Sequence, residues 1–448
     1  MFETPVITEE FKDSPIGKIP KDWDVVELVE EINIVHGYAF KGEYFSETPP
    51  GEVLLVPGNF HREGGLYFEQ NNTKYYQGAI PENTVLSNGD LLIVMTDLSP
   101  RTLILGRVVQ LRLPFKVLHN QRIGKIVLRL PDSWNKRFLM LVMNSNRVRQ
   151  NIISTSSGTT VRHTSPGRIT ANMIPKPGLY DQDGITEILD AIDKTIALTN
   201  THITKLKKAK AGLLHNLLTR GIDDHGELRD YTRNPELFKR SPLGIIPKDW
   251  DVGPLSSIAN LQVGYAFKSQ CFQENEGIRL IRGENVGYGR PDWSDTKRLP
   301  WDMYRGYKEY ELSEGNIIIG MDRTFTKSGC KISVLDSEDI PSLLVQRVGR
   351  FIAYSCNIDF LKVLLMSETY QLSLQLQQKG MDIPHLSQSE ILEPIVPIPL
   401  PKEQIKIAQV VATHEAHLQS KKVYLEKLKL LKKGLMSDLL TGRVRVKI

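Results

Sequence analysis

One passage of this sequence is written twice. "SPIGKIPKDWDV" runs from Ser14 to Val25, and "SPLGIIPKDWDV" runs from Ser241 to Val252, 227 residues further on, with ten of the twelve positions identical. The match holds at that offset through Gly37-Tyr38-Ala39-Phe40-Lys41 and Gly264-Tyr265-Ala266-Phe267-Lys268. It then drifts to 226 at "GDLLIVM" (Gly89 to Met95) against "GNIIIGM" (Gly315 to Met321), and to 225 at "QRIG" (Gln121 to Gly124) against "QRVG" (Gln346 to Gly349). It ends at 222, where "GLLHNLLTRGI" answers "GLMSDLLTGRV". Such drift puts small insertions into the loops of a shared fold, and an internal repeat settles architecture before any single element does. Between the anchors, as in 60–88 against 286–314, the halves share almost nothing. The chain therefore reads as one frame used twice with different content.

At 448 residues, each copy is long enough to bury its own core. With 40% hydrophobic and 24% charged residues, and no apolar run near the ~20 residues of a membrane helix, the chain has an ordinary globular composition. The acidic start "MFETPVITEEFKDS" does not look like a secretory signal, so a cytoplasmic location is expected. The three cysteines, Cys271, Cys330 and Cys356, are too scattered for a zinc site or a disulfide frame. A net charge of +5 is mild and excludes little by itself.

Each copy ends in a long helical pattern. Apolar residues alternate at steps of four and three through Ile185, Leu189, Ile192, Ile196, Ile203, Leu206, Leu213 and Leu217. The second copy repeats the pattern through Ile407, Val411, Leu418, Leu425, Leu428, Leu435 and Leu439. That spacing is the seam of a coiled coil. Lys210 and Lys432 interrupt the two seams at equivalent heights. Asp183 suits a helix start, Pro401 a first turn, and Gly221 and Gly442 positions just past the ends. A rod of ~35 residues is on the order of 50 Å long, more than one domain face, so the two helices are expected to pack on each other, antiparallel. The expected organisation is a first α+β head (1–180), a first long helix (181–221), a linker and second head (222–400), and a second long helix (401–442), together a pseudo-twofold dumbbell.

Within the heads, short hydrophobic runs bounded by turn residues, such as "EVLLVPGN", "LLIVMTD" and "NIIIGMD", predict strands. Helices are predicted at 25–32, 136–150 and 359–377. Basic and amide side chains crowd the segments after equivalent strands: Asn59, His61, Arg62, Arg101 and Arg107 in the first head, and Arg282, Asn285, Arg290, Arg323 and Lys327 in the second. Side chains of these types on loops can hold phosphates and read base edges, so they are the candidate DNA-binding residues. Phosphate-binding glycine loops and amino-methyltransferase signatures are absent from the sequence. The acids of "PDWSDTK" (Pro291 to Lys297) lie too close together for the adjacent strands of a magnesium nuclease centre.

Two Ile-Pro-x-x-Trp frames each leading into Gly-Tyr-Ala-Phe-Lys, heads that end in "MIPKP" (Met173 to Pro177) or "IVPIP" (Ile395 to Pro399), and long helices that finish in "LLTRGI" or "LLTGRV" resemble the specificity subunit of a type I restriction-modification system. The resemblance spans nearly the whole chain. It implies that each head is a target recognition domain for one half of a split site on double-stranded DNA, and that the helices set the gap. It also implies partners: methyltransferase subunits, expected as two copies, and restriction/translocase subunits. S-adenosylmethionine, ATP and magnesium would belong to those partners, with no cofactor or metal bound by this chain and no catalytic residue in it. The other readings are a free-standing duplicated DNA-binding regulator, a structural adaptor whose heads ignore DNA, and an enzyme in its own right.

Overall fold

A computed structural model describes residues 10–326, 329–377 and 385–446. Contacts divide the chain into two compact units, Met1–Asn200 with Tyr424–Ile448, and Thr201–Val423. Each is built on the same α+β plan.

In the first unit the hydrophobic run at Leu91–Val94, buried along its whole length, lies inside an antiparallel sheet. Val108–Gln110 flanks it on one side, and Ile123–Leu128 followed by Ile32–His36 on the other. The second unit repeats this order with Ile332–Val334, the fully buried Ile317–Gly320, Val348–Ala353 and Ala259–Val263. A second sheet in each unit contains a parallel pair, Glu52–Leu55 with Val117–His119 and Ile278–Ile281 with Ser342–Leu344.

The region predicted as one helix at 25–32 is instead a strand at Asp24–Glu27, one helical turn at Leu28–Glu31 and the start of the strand Ile32–His36. Pairing overrides propensity there, because Asp24–Glu27 runs antiparallel to Met173–Lys176. Asp251–Pro254 pairs with Ile395–Ile398 in the same way, so the repeated tryptophan frame and the repeated proline motif are ladder partners. The helix predicted at 136–150 is two helices, Lys136–Met143 and Asn146–Ser154, the second capped by Ser145. The one at 359–377 divides likewise into Ile358–Leu365 and Glu368–Gln377.

The long helices are Leu179–Thr219 and Pro401–Leu440. The first starts a turn before Asp183, whose carboxylate accepts from the Asn135 side-chain amide at 2.7 Å. Every apolar seam position named above is buried or half-buried, whereas Leu198, Leu430 and Leu431, off the seam, stand exposed. The core of the first unit takes in Ile185 and Leu189 from the start of one helix and Leu439 and Leu440 from the end of the other. The core of the second takes in Leu214 and Leu217 with Ile407 and Val411. Within each unit the two helices run in opposite directions. Neither seam lysine is a gap: Lys432 pairs with Asp193 at 2.5 Å in the first unit, and Lys210 with Glu415 at 2.7 Å in the second.

The duplicated "KDW" closes each core by one rule. Trp23 donates to Asp181 at 3.0 Å, and Arg445 bridges Asp22 and Asp181. Trp250 donates to Glu403 at 2.9 Å, and Arg229 bridges Asp249 and Glu403. Among the described residues no helix is long and apolar enough to cross a membrane.

Candidate nucleic-acid interface

Two more of the repeated motifs, Gly-Tyr-Ala-Phe-Lys and Gln-Arg, meet in space. Tyr38 N–H donates to His119 O at 2.8 Å, and Gln121 N–H donates back to Tyr38 O at 3.1 Å. Tyr265 and Gln346 form the same pair of bonds in the second unit, Tyr265 N–H to Leu344 O at 3.1 Å and Gln346 N–H to Tyr265 O at 2.8 Å. The approach is so close that a Cβ on Gly37 would stand 2.3 Å from Asn120 O, and one on Gly264 2.3 Å from Val345 O, which is why both motifs carry glycine. The Gln-Arg turn thus held is tied on its other side to the end of the buried strand, Met95 N–H to Arg122 O at 3.0 Å and Met321 N–H to Arg347 O at 2.9 Å. A histidine lies beside each strand end. His163 Nδ1 is 3.0 Å from Thr96 Oγ1, and His385 Nδ1 is 2.7 Å from Asp322 Oδ1 and 3.1 Å from the Arg347 guanidinium.

Around this fixed edge stand the unlike loops. His61, Arg62 and Arg101 are exposed in the first unit, with the His61 ring edge-on to Tyr67 at 5.7 Å. Arg290, 78% exposed along its side chain, and the exposed Arg323 project from the second. Arg323 has φ +46°, a left-handed conformation uncommon outside glycine and concentrated at functional sites. Tyr288, more than half exposed in the same loop as Arg290, was missed because an isolated tyrosine gives no periodic signal.

Four of the expected contact residues are structural instead. Asn59 and Asn285 are buried. Asn59 Oδ1 accepts from Val56 N–H at 2.9 Å and its Nδ2 donates to Asn72 O at 3.0 Å, while Asn285 ties Arg282 N–H to the carbonyls of Asp292 and Asp295. Buried amides must be bonded, and these two close the bases of their loops rather than face outward. Arg107 donates to Arg62 O at 2.5 Å, and burial, with Arg149 nearby, brings its pKa down to about 10. It props the loop that carries Arg62. Arg282 is mostly buried and paired with Glu284 and Asp295, both at 2.9 Å. Lys327 lies outside the described residues. The Gln-Arg pairs and both histidines escaped the sequence reading as site residues. Their signal was present, since "QRIG" and "QRVG" served there only to align the halves.

Among the described residues no group of three or more histidine, cysteine, aspartate or glutamate side chains is placed to hold a metal ion. The sequence matches the family described as the type I restriction modification DNA specificity domain twice, over residues 20–208 and 247–430. The chain belongs to that family of specificity subunits. It is 28% identical to the type I restriction enzyme MjaVIII specificity subunit of Methanocaldococcus jannaschii, over 98% of this chain and 97% of that protein. It is 25% identical to the EcoBI specificity subunit of Escherichia coli, over 90% of this chain and 81% of that one. Its fold is similar to the crystal structure of the specificity subunit from M. genitalium, with a TM-score of 0.52 at 16% identity over 93% and 96% of the two chains. A chain from a structural study of type I complex assembly gives a TM-score of 0.58 at 13% identity, over 95% of this chain and 100% of that one. As a specificity subunit this chain supplies DNA recognition and no catalysis, and a free-standing regulator is not the favoured reading.

Proposed function

We propose that each unit reads one half of a split, asymmetric DNA target. The observation that carries this reading is the contrast between an edge built from the same residues in both units and exposed loops that differ, His61, Arg62 and Arg101 against Arg290 and Arg323. Equal frames present the readers alike, and unequal readers select different letters. Two copies of a methyltransferase subunit dock on this chain, one per repeat, with restriction/translocase subunits joining for cleavage. The partners supply S-adenosylmethionine, ATP and magnesium chemistry, and the assembly works in the cytoplasm, where its DNA lies.

The long helices form an antiparallel coiled coil that acts as the ruler between recognition domains at 1–180 and 222–400. Two observations support it: the buried seams, and the ion pairs Asp193–Lys432 and Lys210–Glu415, which stand 17 residues apart on either helix (193 to 210, 415 to 432) as one antiparallel register requires. The test is a paired insertion, duplicating Leu206–Ala209 and Ala416–Gln419, which flank the Lys210–Glu415 contact. Four residues add ~6 Å of helix, close to two base-pair rises. Mapped methylation sites should keep both half-site sequences and gain one or two base pairs of spacer. A fixed spacer, or altered half-site letters, would rule out the ruler.

A further inference from the structure

We infer that the repeated Gln-Arg turn, Gln121-Arg122 in one unit and Gln346-Arg347 in the other, grips the sugar-phosphate backbone of DNA, giving both units one sequence-independent hold beside their unlike readers. The inference rests on the DNA-reading role proposed above. It starts from an anomaly of burial. Packing explains the repeated Trp23 and Trp250, which are buried, and the repeated Gly37 and Gly264, which sit against carbonyl oxygens, whereas Tyr38 and Tyr265, bonded to the turn through their backbones, recur with exposed side chains. Arg122 and Arg347 are exposed, so packing gives no reason for the same side chain to recur at both places.

What two readers of different half-sites have in common is the chemistry that does not vary with sequence. On duplex DNA that is phosphate, for which a guanidinium with its fork of donors is suited. The setting fits an anion. Arg122 forms no hydrogen bond or ion pair through its guanidinium among the described residues. Arg347 is held by φ +72° and by His385, and it lies 3.7 Å from Asp322, whose carboxylate is also 2.7 Å from His385. In the first unit Thr96 occupies the place of Asp322, so no acid faces His163 from that position. Both turns are fixed to the strand ends by backbone bonds rather than carried on long loops.

The test uses the full chain with two probes: a pool of random-sequence 30-base-pair duplexes, and the duplexes that the wild-type chain selects from that pool. The variants are Arg122→Ala, Arg347→Gly, their combination, and Arg122→Lys and Arg347→Lys. Glycine replaces Arg347 because the turn needs a positive φ there. Each removal should weaken binding to both probes by the same factor, about tenfold for a charged hydrogen bond. It should also make the slope of log affinity against log salt shallower by about 0.9. The selected letters should not change, and the lysine variants should recover most of the affinity, since a point charge serves phosphate. A loss confined to one half-site with an unchanged salt slope would make these arginines base readers and overturn the inference. Unchanged binding in the double variant would overturn it too, and assign the repeated surface to a protein partner common to both units. If the wild-type chain bound neither probe, the DNA-reading role itself would fall. Thermal unfolding of each variant, matched to wild type, separates these outcomes from misfolding.

Discussion

The indole N–H of Trp250 donates to the carboxylate of Glu403 at 2.9 Å, and that carboxylate also accepts from Ile222 N–H and Arg229, each at 2.7 Å. One buried acid at the start of the second long helix thereby fastens the tryptophan frame, the end of the first long helix and the linker. Glu403→Ala should destabilise the second unit by about 3 kcal/mol, because it removes three bonds and leaves Arg229 mostly buried with only its longer contact to Asp249 at 3.3 Å. Urea unfolding followed by Trp250 fluorescence would measure it. A loss below 1 kcal/mol would mean that the three bonds do not act together.

Gly37→Ala and Gly264→Ala should each cost several kcal/mol, since the added methyl meets a backbone carbonyl rather than a yielding side chain. Gly42→Ala, in the same region but with open space around its Cβ, is the control and should be close to neutral. Thermal melts of the three variants decide it. Equal shifts at Gly37 and Gly42 would refute the close-approach account.

Burial raises the pKa of Glu415, but the Lys210 hydrogen bond, with the charges of Lys210 and Lys362, outweighs it and holds the carboxyl below its ordinary value. A depressed carboxyl stabilises the fold fully above its unfolded value of 4.5, and this contribution is lost as pH falls through the folded value. The second unit should therefore lose stability steeply below about pH 4.5. Lys210→Met should flatten that acid limb while costing about 1–3 kcal/mol at pH 7. Unfolding curves from pH 3 to 7 would show both, and an acid limb of unchanged steepness in the variant would count against the pairing.

Arg290→Ala and Arg323→Gly should relax preference within one half-site by about 1–3 kcal/mol, and Arg62→Ala within the other, as bidentate base contacts do. Duplex selection with each variant reads this directly. By contrast Arg282→Ala and Asn285→Ala should first lower stability, because both side chains are occupied inside the loop base.

Burial lifts the thiols of Cys330 and Cys356 to about 12 and about 11. Neither should react with a thiol reagent at pH 8 on the timescale of Cys271 until the chain is unfolded. Faster labelling of Cys330 in the native protein would contradict its burial.

The repeat, the seam spacing and the turn-bounded hydrophobic runs are local signals, so the duplicated plan, the two long helices and the family resemblance were legible from residue order alone. Their register was legible too, since the second long helix follows the first by 222 residues from Leu179 to Pro401. What residue order could not supply was the partner of each polar side chain. Asn59 and Arg62 are three residues apart and of similarly polar type, yet one is sealed in a loop base and the other exposed, because Asn72 O happens to lie over the first. Lys210 looked like a break in a seam until folding set Glu415 opposite it. The stretch 25–32 looked helical until Met173–Lys176 offered a ladder. Hydrophobic period is written along the chain and survives without its context, whereas hydrogen-bond and charge pairing depend on distances between residues far apart in sequence, and those exist only once the chain has folded.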